Sequence, residues 1–292
     1  MHVTVRRERL RQILHGSTTV LVPAVFDAVS ARLVEMTGFE VALLSGSVTA
    51  ATLHAVPDLI LVTMTEVAQV AKRVVAATAL SLFVDADHGF GNALNVMRCV
   101  RELESAGVAA LTLEDTALPR PYGARGATAV SIQEMCDKLR AAVAAREDPR
   151  LVLIGRTDTL RYRSLAEALE RARAYQETGI DALFIPGAQR REELEAIRQA
   201  VTLPLIASGL PRAEGGKTGL QILQETGYRL ALMAPLPFRV AMQAMYEALA
   251  YLKAHGEPGP FATRMCSPAL LADVVRTATY EDYQRRFLRG EA

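Results

Sequence analysis

The sequence predicts a (β/α)8 (TIM) barrel, and three observations lead to this fold. The chain contains eight short apolar runs, most of them continuous rather than alternating, as expected for parallel strands covered on both faces. Amphipathic patterns such as SARLVEM and EELEAIRQA lie between them and predict helices. Four helical stretches end in a glycine (Gly38, Gly107, Gly179 and Gly227) that suits the left-handed position after a helix, and a strand-like run follows each. Eight such units over about 250 residues are typical of this barrel.

The predicted strands are Thr19–Pro23, Val41–Gly46, Leu80–Asp87, Ala109–Asp115, Leu151–Asp158, Ala182–Pro186, Leu203–Ser208 and Arg229–Ala234. The rival fold is a doubly wound open sheet, which would carry a glycine-rich phosphate-binding turn after its first strand. Here the first strand is followed by AVFDAVSARL, so the barrel is favoured.

Beyond the eighth strand the sequence predicts a long helix, then a break at HGEPGP and further amphipathic helices. We therefore expect residues 1–255 to form the barrel domain and residues 256–292 to form a C-terminal helical extension. A barrel does not require this extension, so we expect it to pack on a neighbouring subunit. The alternative is that it covers the base of its own barrel.

Composition excludes several classes of protein. The chain has 292 residues, of which 50% are hydrophobic. Its 33 basic and 32 acidic residues are interspersed and form no basic stripe, so we expect no nucleic-acid or anionic-lipid partner. No apolar run is long enough to predict a membrane span, and the polar start MHVTVRRERLRQIL predicts a helix rather than a signal peptide. Three widely spaced cysteines, Cys99, Cys136 and Cys266, favour a reducing compartment, the cytoplasm, over a disulfide framework or a zinc site.

Acidic residues follow two neighbouring predicted strands. Asp85 and Asp87 end the third, in FVDADHGFGN, and Glu114 ends the fourth. The carboxyl ends of barrel strands converge on one face, where these like charges would repel one another without a cation. Because the ligands would be oxygen atoms, we expect Mg2+, with Mn2+ as an alternative. The other interpretation is that the acids cap helices and pair with Arg156 or Lys217.

Other polar groups are predicted at the same face. Arg156 ends the fifth strand and could hold a substrate carboxylate with its planar fork of donors. Ser45, Gly46 and Ser47 form a turn that offers N–H groups and hydroxyls to an anion. His88 is predicted to orient a neighbouring group or to contact substrate. The long loop Thr116–Thr128 is a candidate lid whose Tyr122 could donate a proton.

Taken in order, VPAVFDAVSARL, SGS, VDADHGFGN, LTLED, GRTD and EGGKTG resemble the isocitrate lyase and phosphoenolpyruvate mutase superfamily, over residues from about Val22 to Tyr251. The resemblance implies a barrel whose eighth helix is exchanged between subunits, a homotetramer built as a dimer of dimers, and Mg2+ that binds 2-oxo or 2-hydroxy acids. By position, Asp85, Asp87 and Glu114 would lie around the metal. The serine turn and Arg156 would hold the substrate.

Departures from the superfamily motifs suggest a branch. The loop reads RPYGARG, where isocitrate and methylisocitrate lyases carry a catalytic cysteine, and the fourth strand ends EDT, where mutases usually have EDK. The sequence is most similar to the oxaloacetate decarboxylase branch, although Pro235 stands where that branch has a histidine.

This implies Mg2+-dependent carbon-carbon cleavage of a small 2-oxo (or 2-hydroxy) dicarboxylic acid, most simply oxaloacetate to pyruvate and CO2. The enzymatic alternatives are phosphonate chemistry, as in phosphoenolpyruvate or carboxyphosphonoenolpyruvate mutases and phosphonopyruvate hydrolases, and aldol-type cleavage of dimethylmalate or methylisocitrate. A barrel that binds a ligand without turnover is a further alternative.

Overall fold

The computed structural model describes residues 2–289 and contains a closed barrel of eight parallel strands in sequential order, β1 to β8. This confirms the predicted fold class. The strands are β1 (Val20–Val25), β2 (Val41–Leu44), β3 (Ser81–Asp85), β4 (Ala110–Glu114), β5 (Val152–Arg156), β6 (Ala182–Phe184), β7 (Leu205–Ala207) and β8 (Tyr228–Met233). Pairing of β1 with β8, with Val20 opposite Leu230, closes the ring.

Helices alternate with the strands. The helices are α1 (Val3–His15), α2 (Ala28–Met36), α3 (Gly46–His54), α4 (Met64–Ala77), α5 (Ala93–Ser105), α6 (Ile132–Ala145), α7 (Thr159–Tyr162), α8 (Leu165–Gln176), α9 (Arg191–Ala200), α10 (Gly219–Glu225), α11 (Leu236–His255), α12 (Pro268–Val274) and α13 (Thr277–Tyr283). Gly38, Gly107, Gly179 and Gly227 all have positive φ angles, as the glycine pattern predicted.

The chain divides into two compact units, the first ending at Pro237 and the second beginning at Phe238. The first contains all eight strands. The second contains most of α11, then α12 and α13, so the helices predicted beyond the barrel are present. The predicted domain boundary after residue 255 stays a prediction, as does exchange of a helix between subunits.

The barrel unit has two hydrophobic layers. An inner cluster fills the ring with side chains such as Val22, Phe83 and Leu230, and an outer cluster lies between the strands and the surrounding helices. Leu10 and Leu14 of α1 belong to the inner cluster, so this helix closes the amino-terminal end of the barrel.

Arginine hydrogen bonds fix α1 in that position. Buried Arg6 donates to the carbonyl oxygens of Val75 (2.9 Å) and Thr78 (2.6 Å). Arg7 donates to the carbonyl oxygens of Val108 and Glu104, both at 3.0 Å. These bonds satisfy carbonyl groups that would otherwise be buried without donors.

Across residues 2–289, no helix combines the length and apolarity needed to cross a bilayer.

Candidate active site

A cavity of about 260 Å³ opens among the carboxyl ends of the strands, the face at which TIM-barrel enzymes place their active sites. Its polar lining residues are Ser45, Ser47, Asp58, Asp85, Thr112, Arg156, Arg161 and Ser208. Leu43, Phe83 and Leu232, which belong to the inner cluster of the barrel, form apolar parts of its wall. The volume is below the ~300–1,000 Å³ typical of drug-sized ligands, so the cavity suits a small molecule.

Arg156 is the electrostatic centre of this cavity. Its side chain is 14% exposed and forms ion pairs with Glu114 (2.9 Å), Asp85 (3.2 Å) and Asp158 (2.7 Å). The pairing with Glu114 follows from strand register, because these two residues are directly opposite on β4 and β5. Its guanidinium also lies over the Phe184 ring, 5.4 Å from the centroid. Burial lowers the pKa of Arg156, but the three carboxylates raise it overall above its ordinary value, so this residue stays cationic.

The carboxylates around Arg156 outnumber the arginines, and Glu114 and Asp87 are among those with raised pKa values. Burial raises the pKa of Glu114 to about 8, with Asp158 and Asp85 adding to the rise and Arg156 opposing it. Burial, followed by the charges of Asp85 and Glu114, raises the pKa of Asp87 well above its ordinary value. Both carboxyls are therefore poorly stabilised as anions in this structure, first because burial removes them from water and further because other carboxylates lie near them.

Asp85 and Asp87 reach the same space by a route that the sequence analysis did not predict. The predicted third strand included Asp87, but β3 ends at Asp85 and Asp87 has a φ angle of 48°, so the predicted end of this strand was wrong. The two carboxylates nevertheless lie close to one another beside Gly46, since a Cβ on this glycine would lie 3.1 Å from Asp87 Oδ1 and 3.5 Å from Asp85 Oδ2.

These groups fit a hard divalent cation. The candidate donors are carboxylate oxygens, which Mg2+ prefers. Asp85 lines the cavity, whereas Asp87 and Glu114 lie outside its lining and contact the lining residues Asp85 and Arg156. In the described part of the chain, no three acidic, histidine or cysteine side chains form a complete metal-binding cluster. Water and substrate atoms would therefore complete the coordination, as is usual for Mg2+.

The predicted serine turn lies at the amino terminus of α3. Ser45 is the N-cap residue, and its hydroxyl lies 3.1 Å from that of Ser47. The Ser45 side chain makes no capping hydrogen bond to the backbone N–H groups of α3. Both serines line the cavity, so the unpaired N–H groups of the first turn and the two hydroxyls are available to an anion.

His88 and Tyr122 lie outside the cavity lining. His88 is 4% exposed, and burial, together with the charge of Lys138, lowers its pKa to about 4, so the imidazole is neutral at physiological pH. Tyr122 is fully exposed at the tip of the predicted lid. Ala117 N–H donates to the Thr128 carbonyl oxygen at 2.7 Å, which ties the two ends of this loop together. The catalytic roles predicted for His88 and Tyr122 stay predictions.

Asp58, Thr112, Arg161 and Phe184 line the cavity but were not predicted as site residues, and Ser208, the last residue of the predicted seventh strand, was assigned no role. Asp58 lies in the loop after α3 and Arg161 in the short helix α7, so neither ends a strand. Burial, then the charge of Asp85, raises the pKa of Asp58, which places its carboxyl in the same electrostatic group. Phe184 ends β6, and its apolar side chain is not distinguished in the sequence from the side chains of the barrel core. A signal for Arg161 was available, since it lies in RTDTLRYR directly after the fifth strand.

Known proteins are similar to this chain over nearly its whole length. It is 43% identical over 283 residues to an oxaloacetate decarboxylase of Rhodopseudomonas palustris strain BisB18, with 97% of each chain covered. A phosphoenolpyruvate phosphomutase structure from Streptomyces platensis subsp. rosaceus superimposes with a TM-score of 0.88 at 26% identity, covering 97% of this chain and 99% of the other. A phosphonopyruvate hydrolase in complex with oxalate and Mg++ gives a TM-score of 0.88 at 26% identity, covering 99% and 100% of the two chains.

The match to a family covers the barrel and α11 up to Lys253. Residues 10–253 match the phosphoenolpyruvate phosphomutase family, and this range includes every residue that lines the cavity. The resemblance read from the sequence motifs is confirmed. The chain therefore belongs to the phosphoenolpyruvate phosphomutase family.

Proposed function

We propose that this protein is a carbon-carbon lyase that decarboxylates oxaloacetate to pyruvate and CO2 with the help of Mg2+. The observation that carries the proposal is the cavity itself: it is small, is lined by both charged and apolar side chains and has no cysteine among its lining residues. Cleavage of larger hydroxy acids requires an acid to protonate the departing group, whereas decarboxylation releases CO2 without one and leaves an enolate that solvent, or Tyr122 from the lid, would protonate to pyruvate. Similarity to oxaloacetate decarboxylases over 97% of the chain supports the same reaction.

Asp85, Asp87 and Glu114 would hold the cation directly or through water, and Asp58 adds a fourth carboxyl near them. When bound, Mg2+ supplies positive charge that polarises the 2-oxo group and favours build-up of negative charge on its oxygen. The oxalate and Mg++ complex of the phosphonopyruvate hydrolase supports this assignment, because oxalate offers adjacent carboxylate oxygens much as a 2-oxo acid does.

The chain's own groups would orient the substrate and stabilise charge. Ser45, Ser47 and the first N–H groups of α3 would bind the carboxylate next to the 2-oxo group. Arg156 remains cationic and lines the cavity, so it would stabilise negative charge as the carbon-carbon bond breaks. The apolar wall formed by Leu43, Phe83 and Leu232 would keep water from that side of the substrate. Tyr122 would reach the substrate only after the lid moves.

Substrate turnover tests the reaction. Purified protein would be incubated with oxaloacetate, phosphonopyruvate and dimethylmalate, each with Mg2+ and with a chelator. We expect Mg2+-dependent pyruvate from oxaloacetate and no comparable turnover of the others. Preferred turnover of phosphonopyruvate or dimethylmalate would replace the proposal with the corresponding alternative, and no turnover of any would favour a ligand-binding role.

The variant Asp85→Asn tests the residue assignment, because it keeps the shape of the side chain and removes its charge. We expect loss of Mg2+-dependent activity in this variant and normal activity in Asp137→Asn, which changes an exposed carboxylate on α6. Full activity of Asp85→Asn would contradict the assignment.

We also propose that the protein is a homotetramer in which the second compact unit packs on another copy of the chain. None of the 20 residues of α11 is buried, and its exposed side chains include Val240, Met245, Tyr246 and Leu249. Exposed apolar area of this kind is typical of an interface. Analytical ultracentrifugation should give four times the 31.7 kDa chain mass, and a monomer would contradict the proposal.

A cytoplasmic location is proposed from the three cysteines, all of which are free in the structure. Localisation of a tagged chain by cell fractionation would test it, and recovery outside the cytoplasm would refute it.

A further inference from the structure

We propose that Arg161 and Ser208 form a second anion-binding site, which holds the distal carboxylate of the substrate and makes the enzyme select doubly charged 2-oxo acids. This inference rests on the proposed function and adds to it a specificity-determining pair of residues. Both residues line the cavity.

The first argument concerns the availability of donors. Arg156 directs its guanidinium to three carboxylates, so most of its donors are already engaged. Arg161 lies nearer the surface, with its side chain 51% exposed, and its Nη1 pairs with Asp158 Oδ1 at 3.0 Å. A guanidinium has five N–H donors, so Arg161 retains donors that an incoming carboxylate can accept from.

The second argument concerns how Arg161 is held. Asp158 uses one oxygen for each arginine, with Oδ2 accepting from Arg156 Nε at 2.7 Å and Oδ1 facing Arg161. Gly187 leaves room for the Arg161 side chain, since a Cβ at this position would lie 3.1 Å from Arg161 Cγ. The ion pair with Asp158 therefore restrains the Arg161 side chain before a ligand arrives, which lowers the entropic cost of binding.

Ser208 supplies a second donor on the same side. Its hydroxyl oxygen accepts a hydrogen bond from the Gly187 N–H at 3.3 Å. The hydroxyl proton of Ser208 is then free to donate to an anion. Because Gly187 contacts both residues, Ser208 and the stem of Arg161 adjoin one another.

The position of this pair in the ring gives it a function distinct from that of the serine turn. Ser45 and Ser47 follow β2, while Arg161, Gly187 and Ser208 follow β5, β6 and β7. In a closed ring of eight strands in sequential order, β6 is opposite β2. The cavity therefore has anion-binding groups on opposite sides, an arrangement that matches a small substrate with a carboxylate at each end.

The chemistry predicts how the pair affects kinetics. The distal carboxylate of oxaloacetate carries a full negative charge when bound and loses it on leaving as CO2. Arg161 therefore stabilises the bound substrate more than the transition state, so it lowers KM without raising kcat.

The test compares Arg161→Gln with the matched control Arg163→Gln, which removes the same charge from an exposed arginine outside the cavity lining. For Arg161→Gln we expect the KM for oxaloacetate to rise about tenfold, the usual effect of losing a charged hydrogen bond, with kcat equal or higher. The inhibition constant of 2-oxobutanoate, which has a methyl group in place of the distal carboxylate, should not change. Ser208→Ala should raise KM about threefold, Arg161→Lys should restore part of the loss, and Arg163→Gln should behave as wild type.

A weaker affinity for 2-oxobutanoate in Arg161→Gln, or a fall in kcat at unchanged KM, would overturn the inference. Either result would mean that the arginine acts through Asp158 and Arg156. The thermal shift produced by each ligand provides a measurement that does not require turnover. If wild-type protein leaves oxaloacetate unchanged, the proposed reaction is wrong. The difference in thermal shift between the two ligands, in wild type and variant, still decides whether Arg161 selects the dianion.

Discussion

Replacement of Arg156 by methionine tests the electrostatic description of the cavity. Methionine keeps the length of the side chain and removes its charge. Buried Glu114 and Asp158 and half-buried Asp85 then lose a partner, and breaking one buried ion pair typically costs about 3–5 kcal/mol. The losses from the three ion pairs do not add. Asp158 keeps its ion pair with Arg161 at 3.0 Å. Glu114 has a pKa already raised to about 8, so it can take up a proton and become neutral. Only Asp85 is left without compensation, so we expect a total loss of about 3–5 kcal/mol in the free energy of unfolding.

The assay is urea unfolding at neutral pH and one fixed protein concentration, with and without Mg2+. The control is Arg150→Met. Arg150 also has two ion pairs, to Glu8 (2.8 Å) and Asp148 (3.4 Å), but its side chain is 46% exposed. Exposed pairs contribute about 0–1 kcal/mol, so its loss should be small. Added Mg2+ should stabilise Arg156→Met more than wild type, since the cation replaces the missing charge. Equal losses in the two variants would refute the reasoning.

Two further predictions follow from close packing. Gly46→Ala should weaken activation by Mg2+ about tenfold, because the added Cβ would lie 3.1 Å from Asp87 Oδ1 and displace a carboxylate. Gly16→Ala, whose Cβ would lie 3.2 Å from the Gln12 carbonyl oxygen beside α1, should leave that activation unchanged, and equal behaviour of the two would contradict this explanation. Burial raises the pKa of the Cys99 thiol to about 12, so Cys99 should resist alkylation in the native protein even as pH is raised from neutral to mildly alkaline, whereas exposed Cys266 should react. Peptide mass spectrometry would measure both, and rapid native labelling of Cys99 would contradict the predicted burial.

The sequence predicted the barrel well because its strands are buried on both faces and are therefore visible as continuous apolar runs. The observed strand boundaries differ from the predicted ones where backbone pairing between strands, rather than hydropathy, determines where a strand ends. β1 continues to Val25 because Ala24 and Val25 pair with Leu43 and Leu44, whereas the prediction stopped at Pro23. β6 and β7 are shorter than predicted because the ladder ends at Phe184 and Ala207.

Site residues were predictable where strand ends impose the geometry. Glu114 and Arg156 meet because strand register places them opposite one another. Asp58 lies in the loop after α3, and Arg161 lies in the short helix α7. The hydropathy pattern does not predict the course of such connecting segments, so it gives no indication that these two residues reach the cavity. His88 was predicted near the site because it follows Asp87, but the left-handed turn at Asp87 breaks strand alternation and His88 is buried outside the cavity lining.

The position of α1 has a consequence for how the chain is made. This helix contacts β8, and β8 is also the partner that completes β1. Helix α1 is synthesised before β8 and therefore cannot reach its final environment until residues 228–233 have been synthesised. Until then Leu10 and Leu14 have no inner cluster to enter, and the carboxyl ends of the strands cannot be drawn into a ring. The active site of this protein is thus assembled late, and its geometry depends on a contact between the two ends of the barrel sequence.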